Sequence, residues 1–384
     1  MAVYKIFPDK DATLYSLFPT MNTGLDEIVE ATETVFAYSD PSPQTSRFLI
    51  NFANEDLASV ISLIPQSLFD SGSTTSTGSW NAKLQCFIST ATGLAVTTSI
   101  DCFPVAQQWG MGTGHYLDDP ISEDGCSWIW ASYSGSNIWA APTGATSSFT
   151  SSVPAGGGVW YTGSQYTSSV TFSYRTNKDI NLDVTNTVKA WTTSSGTIPT
   201  TKLPNYGFLL KQNLEFVYNK NYQPELKYFS VDTNTIYPPA LQISWDDFSF
   251  TTGSSTQTIL NTLPATVTLA QNPGTFYSES INKFRVNARP EYPIQLWQTE
   301  SVYTNNYYLP TASYWALKDL ETNEYIVNFD SVYTKLSADA TSSYFTLNMN
   351  FLQPERYYTV LIQSTIDGST VVFNDQYYFK VING

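Results

Sequence analysis

One histidine limits what this chain can do by proton transfer. His115 lies in the stretch Gly-Met-Gly-Thr-Gly-His-Tyr-Leu-Asp-Asp-Pro, Gly110 to Pro120, with Asp118 and Asp119 close behind it. A histidine beside aspartates supplies two members of a hydrolytic triad. No Gly-x-Ser-x-Gly elbow provides the nucleophile, so an ordinary loop histidine is expected. The glycines before it lack the last glycine and the parallel-sheet context of a dinucleotide loop, and they read as a flexible turn. No metalloprotease helix motif or Walker loop occurs.

Carboxylates are the other chemistry to weigh. Glycoside hydrolysis needs two acids flanking a sugar bond, and Asp118, Asp119, Glu123, Asp124, Asp246 and Asp247 are the acids available. Adjacent acids on a strand point to opposite faces, which suits solvation better than a shared cleft. We therefore expect no catalytic residue, no enzyme and no organic cofactor. The aromatic residues pose a different question. Trp109, Trp128, Trp130, Trp139 and Trp160 crowd the middle of the first half. Exposed coplanar rings would stack on sugar faces, whereas Trp128 and Trp130 at a two-residue spacing suit a filled core. A core or subunit-interface role is the stronger expectation, with Trp109, Trp139 and Trp160 as interface or binding candidates.

The elements that must hold these residues are strands. In Lys83–Ile88, Leu84, Cys86 and Ile88 share one face; in Ala240–Trp245, Leu241, Ile243 and Trp245 do so. In Tyr344–Leu352, Phe345, Leu347, Met349 and Phe351 alternate with Thr346, Asn348 and Asn350. A period of two is the mark of a sheet with one buried face. Ser/Thr/Gly clusters between the runs read as turns and surface loops. Only Val184, Val188 and Trp191 fall at helical spacing, which predicts a turn or two of helix after Asp183, and no long amphipathic helix is expected. The class is all-β.

Composition bounds the rest. The chain has 384 residues, 42% hydrophobic, with 18 Lys+Arg against 33 Asp+Glu for a net charge of −15. An acidic surface repels phosphate, so nucleic acid and anionic membrane surfaces are excluded as expected partners. Three cysteines with no Cys-x-x-Cys spacing imply buried free thiols. The opening Met-Ala-Val-Tyr-Lys-Ile-Phe-Pro-Asp breaks the apolar run of a signal peptide, and no stretch approaches the ~20 apolar residues of a membrane span. Synthesis and retention in a cytosol are expected, with export only inside something larger. Strand patterning lapses at Phe248–Thr258, which predicts a domain over 1–248, a linker over 249–258 and a second domain over 259–384. The strand and turn spacing of the second suits an immunoglobulin-like sandwich. Long loops of the first, above all Gly110–Trp160, are where recognition is usually placed.

An ordered series of motifs spans about residues 3–247. Asp11-Ala12-Thr13 and Asn22-Thr23-Gly24 come first, then Arg47-Phe-Leu-Ile-Asn-Phe52, Asn81-Ala-Lys-Leu84 and Trp109. Asp124-Gly-Cys-Ser-Trp-Ile-Trp130, Asp183–Trp191 and Asn205-Tyr-Gly-Phe-Leu-Leu-Lys211 follow, closed by Lys227–Trp245. The series resembles the DNRLRE-type jelly-roll domain, a β-sandwich related in shape to carbohydrate-binding modules. With the Gly156–Gly163 insert, its wording is most similar to virion structural proteins of marine tailed phages, T-even-like cyanophage myoviruses and their relatives. The chain departs from the DNRLRE core at Tyr228–Thr235, where many relatives carry an Arg-Glu pair. The arch stands on physical grounds: Pro238 and Pro239 cannot donate ladder hydrogen bonds, so the chain leaves one sheet before Leu241 begins another. Jelly rolls often pin their N-terminal strand with a hard cation. That implies a structural Ca²⁺ held by Asp11, Asn22 and Asp246 or Asp247.

The resemblance implies a non-enzymatic virion component of the neck, head surface, tail or baseplate, present in several copies and working through contacts with other virion proteins. A glycan-binding adhesin is the alternative, and a polysaccharide depolymerase the third reading. Within Glu300–Leu317, Tyr303, Tyr307, Tyr308, Tyr314 and Trp315 crowd together. Neighbours on a strand cannot share one core, so one ring of Tyr307 and Tyr308 is expected outside it, at an interface or flat on its own domain.

Overall fold

The computed structural model describes residues 2–35, 43–65, 68, 80–94, 97–133, 137–147, 156–192, 202–215, 224–255, 257–270, 272–292 and 306–383. The protein is nearly all β, with sheets packed as sandwiches. It divides into two compact units, one of Ile6–Thr74 and Asn81–Gln242, the other of Met1–Lys5, Thr75–Trp80 and Ile243–Gly384. Within the stretch read as a linker, Ser249 donates its N–H to Ser337 Oγ at 3.2 Å and Phe250 forms a β-bridge with Ala338.

The first unit is built on an eight-stranded antiparallel sheet. Its order is Ser168–Phe172, Thr98–Pro104, Phe208–Gln212, Pro43–Asn51, Ile28–Val35, Glu225–Phe229 and Ile88–Thr92, with Lys10–Tyr15 also paired to Pro43–Asn51. Ala240–Trp245 belongs to a different, four-stranded sheet that also holds Trp80–Cys86 and Ile180–Asp183. The Pro238-Pro239 break therefore separates strands of two sheets. Leu241, Ile243 and Trp245 are buried as their alternation requires. The run Lys83–Ile88 is corrected: Leu84 and Cys86 are buried on one strand, but the ladder breaks at Phe87 and Ile88 opens the next strand, half-exposed.

Two α-helices occur among the described residues. Thr185–Thr192 carries the anticipated stripe, with Val188 and Trp191 buried and Val184 just ahead of it. The helix Asn54–Leu63 departs from the all-strand reading of its stretch. Its signal is short: Glu55 and Asp56 in the first turn favour the positive end of the helix dipole, and only Leu57 and Val60 face inward.

A buried cation organises the core of the first unit. Arg47 is fully buried, flanked by the Trp128 ring at 4.8 Å and the Trp160 ring at 5.2 Å. Its Nε and Nη2 donate to the two carboxylate oxygens of Glu215 at 2.8 and 2.9 Å, and Nη1 donates to the Gly157 carbonyl at 2.6 Å. A guanidinium out of water is tolerated only when its donors are met and its faces covered, and here both hold. The glycine run explains itself in this setting. Gly157 has φ +74°, and a Cβ there would lie 2.6 Å from Arg47 Nη1 and 2.7 Å from the Trp128 ring.

The second unit packs two sheets face to face. One runs Ala265–Ala270, Ile281–Pro290, Ser343–Asn348, Ser337–Ala338; the other runs Thr275–Tyr277, Tyr378–Ile382, Tyr357–Ile366, Ser313–Asp319, Tyr325–Val327, with Ser369–Phe373 on Tyr357–Ile366. Phe345, Leu347, Met349 and Phe351 all point inward, as their alternation predicts. A stack of rings fills the centre: Trp315 on Phe345 at 4.9 Å, Phe345 on Phe284 at 5.1 Å, and Phe284 against Phe379 at 5.6 Å.

Candidate functional site

Many of the residues that could do chemistry are held by structural tasks. His115 is exposed, and its backbone N–H donates to Asp118 Oδ2 at 2.8 Å, which closes a turn. Asp124 accepts the Thr113 N–H and hydroxyl at 2.9 and 2.7 Å, bonds that hold its carboxyl below its ordinary pKa. Asp119 is exposed and Glu123 half-exposed. Asp246 accepts the Phe248 N–H at 2.9 Å, and Asp247 is exposed.

The calcium candidates divide between the units, Asp11 and Asn22 in the first, Asp246 and Asp247 in the second. The Asn22 amide is fully engaged. Its NH₂ donates to the carbonyls of Met111 at 2.6 Å and Cys126 at 2.8 Å, while its Oδ1 accepts the N–H of Gly24 and of Gly114. Gly112, at φ +84°, is packed so closely that a Cβ would stand 2.3 Å from Asn22 Oδ1. Asn22 thus pins the long loop that carries His115 and Tyr116. Asp11 Oδ2 accepts the Val231 N–H at 2.7 Å and fastens the arch, while Oδ1 is buried without a hydrogen-bond partner. Burial raises the Asp11 pKa to about 8, the Val231 bond opposing and Asp232 and Asp26 adding to the rise. Among the described residues, no group of three or more His, Cys, Asp or Glu side chains is arranged to hold a metal ion.

The tryptophan candidates lie inside. Trp109, Trp139 and Trp160 are buried in the core of the first unit together with Trp128, and Trp130 is half-buried. Trp109 Nε1 donates to the Tyr206 carbonyl and Trp139 Nε1 to the Ser127 carbonyl, each at 2.9 Å. Trp315 is buried at the centre of the second unit. Tyr308 is buried, and its hydroxyl donates to the Asp339 carbonyl at 2.7 Å; Tyr307 is half-buried against the same core. Tyr303 lies outside the described residues.

Two surfaces stand out instead. The first is an aromatic row on the second unit. Along Tyr378–Ile382, Phe379 and Val381 enter the core while Tyr378 and Lys380 face out. Tyr357 is paired with Lys380 across the ladder, and the Tyr357 and Tyr378 rings meet edge to face at 6.1 Å. Tyr277 extends the row from the neighbouring strand, and the three rings are 60%, 41% and 53% exposed in the order 277, 357, 378. Lys380 is paired with Glu355 beside them.

The second is a cleft of about 100 Å³ in the first unit. Tyr15 and Phe18 from the end of Lys10–Tyr15 and the segment after it meet Tyr116 from the long loop, with centroids 4.9 Å and 6.2 Å from the Tyr116 ring. In the same lining, Lys227 donates to Glu30 Oε1 at 2.9 Å, and Gln44 and Glu225 complete the polar groups. Glu30 and Lys227 are directly paired on adjacent strands. Nothing in the spacing of five separated segments announces this site; the tyrosine and the acids are unremarkable until the sheet assembles them. No family model matches the chain, and neither a curated protein nor a solved structure does.

Proposed function

We propose that the chain is a non-enzymatic structural component of a tailed-phage particle that works through protein–protein contacts. In this reading the first unit is a DNRLRE-like jelly roll and the second an immunoglobulin-like sandwich. The motif order from Asp11 to Trp245 supports the family, and the row of Tyr277, Tyr357 and Tyr378 carries the assembly role. Three large rings held in water on one sheet face are what an interface uses, because tyrosine contributes apolar area while its hydroxyl tolerates solvent. The occupant is another subunit of the particle.

Immunogold labelling of intact virions with antibody against the chain tests the localisation, and label confined to the surrounding lysate would refute it. The surface is tested by Tyr357→Ser with Tyr378→Ser. Both rings are exposed, so the melting temperature should hold within a few degrees while incorporation into particles falls at least tenfold, as loss of a central anchor of ~2 kcal/mol or more requires. Wild-type incorporation of the double variant would place the interface elsewhere.

A further inference from the structure

We propose that the cleft between Tyr116 and the Glu30–Lys227 pair binds one uncharged pyranose ring. A pyranose has an apolar C–H face and a rim of hydroxyls, each of which both donates and accepts. The cleft is lined both by aromatic carbon, from Tyr15, Phe18 and Tyr116, and by mixed hydrogen-bonding groups, from Glu30, Gln44, Glu225 and Lys227. Tyr116 is 40% exposed, so its ring is open to a ligand.

The polar groups retain capacity. Lys227 uses one of its three N–H donors on Glu30 Oε1, which leaves Glu30 Oε2 as an acceptor. Gln44 lines the cleft; its Oε1 accepts from the Ser16 hydroxyl at 3.0 Å, and its NH₂ supplies donors. Ammonium, carboxylate and amide around one opening serve the alternating donor and acceptor demand of neighbouring hydroxyls.

Charge narrows the class. Glu30 and Glu225 outnumber Lys227, so a phosphate, sulfate or uronate meets net repulsion. A quaternary ammonium would favour the rings, but it would have to displace Lys227 from Glu30 and approach that cation closely. A neutral polyol meets neither obstacle. Size narrows it again: the space is about 100 Å³ and open to solvent, so one ring can seat a face in it with its outer rim in water, and two cannot enter.

The site is also prebuilt. Leu25 donates its N–H to the Gly114 carbonyl at 3.0 Å, Leu117 donates to Met21 Sδ at 3.4 Å, and Asn22 clamps the loop on both sides of Tyr116 through Gly114 and Cys126. Little ordering remains to oppose binding. This inference does not depend on the particle reading; either stands if the other fails.

The test is saturation-transfer NMR on the full chain with the methyl pyranosides of glucose, mannose, galactose and N-acetylglucosamine. At least one should receive saturation on its ring C–H protons, with a dissociation constant on the order of 1 mM, typical of a single small ligand in a shallow site. Tyr116→Ala and Gln44→Leu should each weaken it at least tenfold with the melting temperature unchanged. Two variants are needed because a fold defect in one would not be shared by the other. No transfer to any of the four sugars at about 10 mM, ten times that constant, would overturn the proposal. So would transfer that survives both substitutions, or binding of choline or methyl glucuronide in preference to every neutral sugar.

Discussion

Arg47 carries its charge where water does not follow, and the consequences differ for each partner. Glu215→Ala strands a guanidinium between two indoles, which should cost about 3–5 kcal/mol. Arg47→Met should cost clearly less, because a flexible apolar chain fills the slot and Glu215 keeps Lys211 at 3.1 Å. Urea unfolding of both variants checks this, and equal losses would mean that the pair is not what holds the site. Asp11 makes the opposite kind of prediction. Its pKa rises from 3.8 to about 8 on folding, so the folded state prefers the protonated form. The favourable contribution is full below the unfolded pKa and is lost as pH climbs from about 4 to about 8, by up to about 1.4 kcal/mol per pH unit. Asp11→Asn keeps an acceptor for Val231 and removes the titration. Its stability relative to wild type should therefore improve between pH 5 and pH 8; a constant difference across that range would show that Asp11 stays ionised.

At the scale of the strand, alternation sets the energetics. Phe345 sits between Trp315 and Phe284, whereas Tyr344 points outward beneath the Lys283 ammonium at 3.5 Å. Phe345→Ala should cost about 3–5 kcal/mol and Tyr344→Ala under about 1 kcal/mol, measured by denaturant unfolding. Comparable losses would mean that the strand does not present one face to the core. This is the part of the structure the sequence makes legible, since a half-buried strand writes its orientation every second residue. Thr185–Thr192 is legible for the same reason, through Val184, Val188 and Trp191. The helix Asn54–Leu63 is not, because two inward residues are too few to set a period. Nor are Arg47 and Glu215, which lie 168 positions apart and whose types suggest solvent until the fold joins them. The core reading of the tryptophans agrees with the burial of Trp128, whereas Trp109, Trp139 and Trp160 mislead as interface or binding candidates, because ring type is visible in a sequence and burial is not. The cleft is hidden for a further reason: its walls come from segments that share no local pattern.

At the scale of the whole chain, each unit is discontinuous in sequence. Val3 is buried in the core of the second unit with Leu260, Trp315 and Phe345, and Tyr4 accepts a hydrogen bond from the Asn350 amide at 2.9 Å. A fragment of residues 243–384 therefore lacks part of its own core. Fully burying a valine contributes about 1.5–3 kcal/mol, so the fragment should melt several degrees below the same unit in the full chain. Identical midpoints would show that Val3 adds nothing. The same discontinuity has a consequence in time. Val3 leaves the ribosome more than 250 residues before Leu260 does. At ordinary elongation rates it waits on the order of tens of seconds for the core it belongs to. The strand Ala2–Ile6 is made early and completed late, and through that interval its apolar side chains are open to whatever chaperone the cell provides.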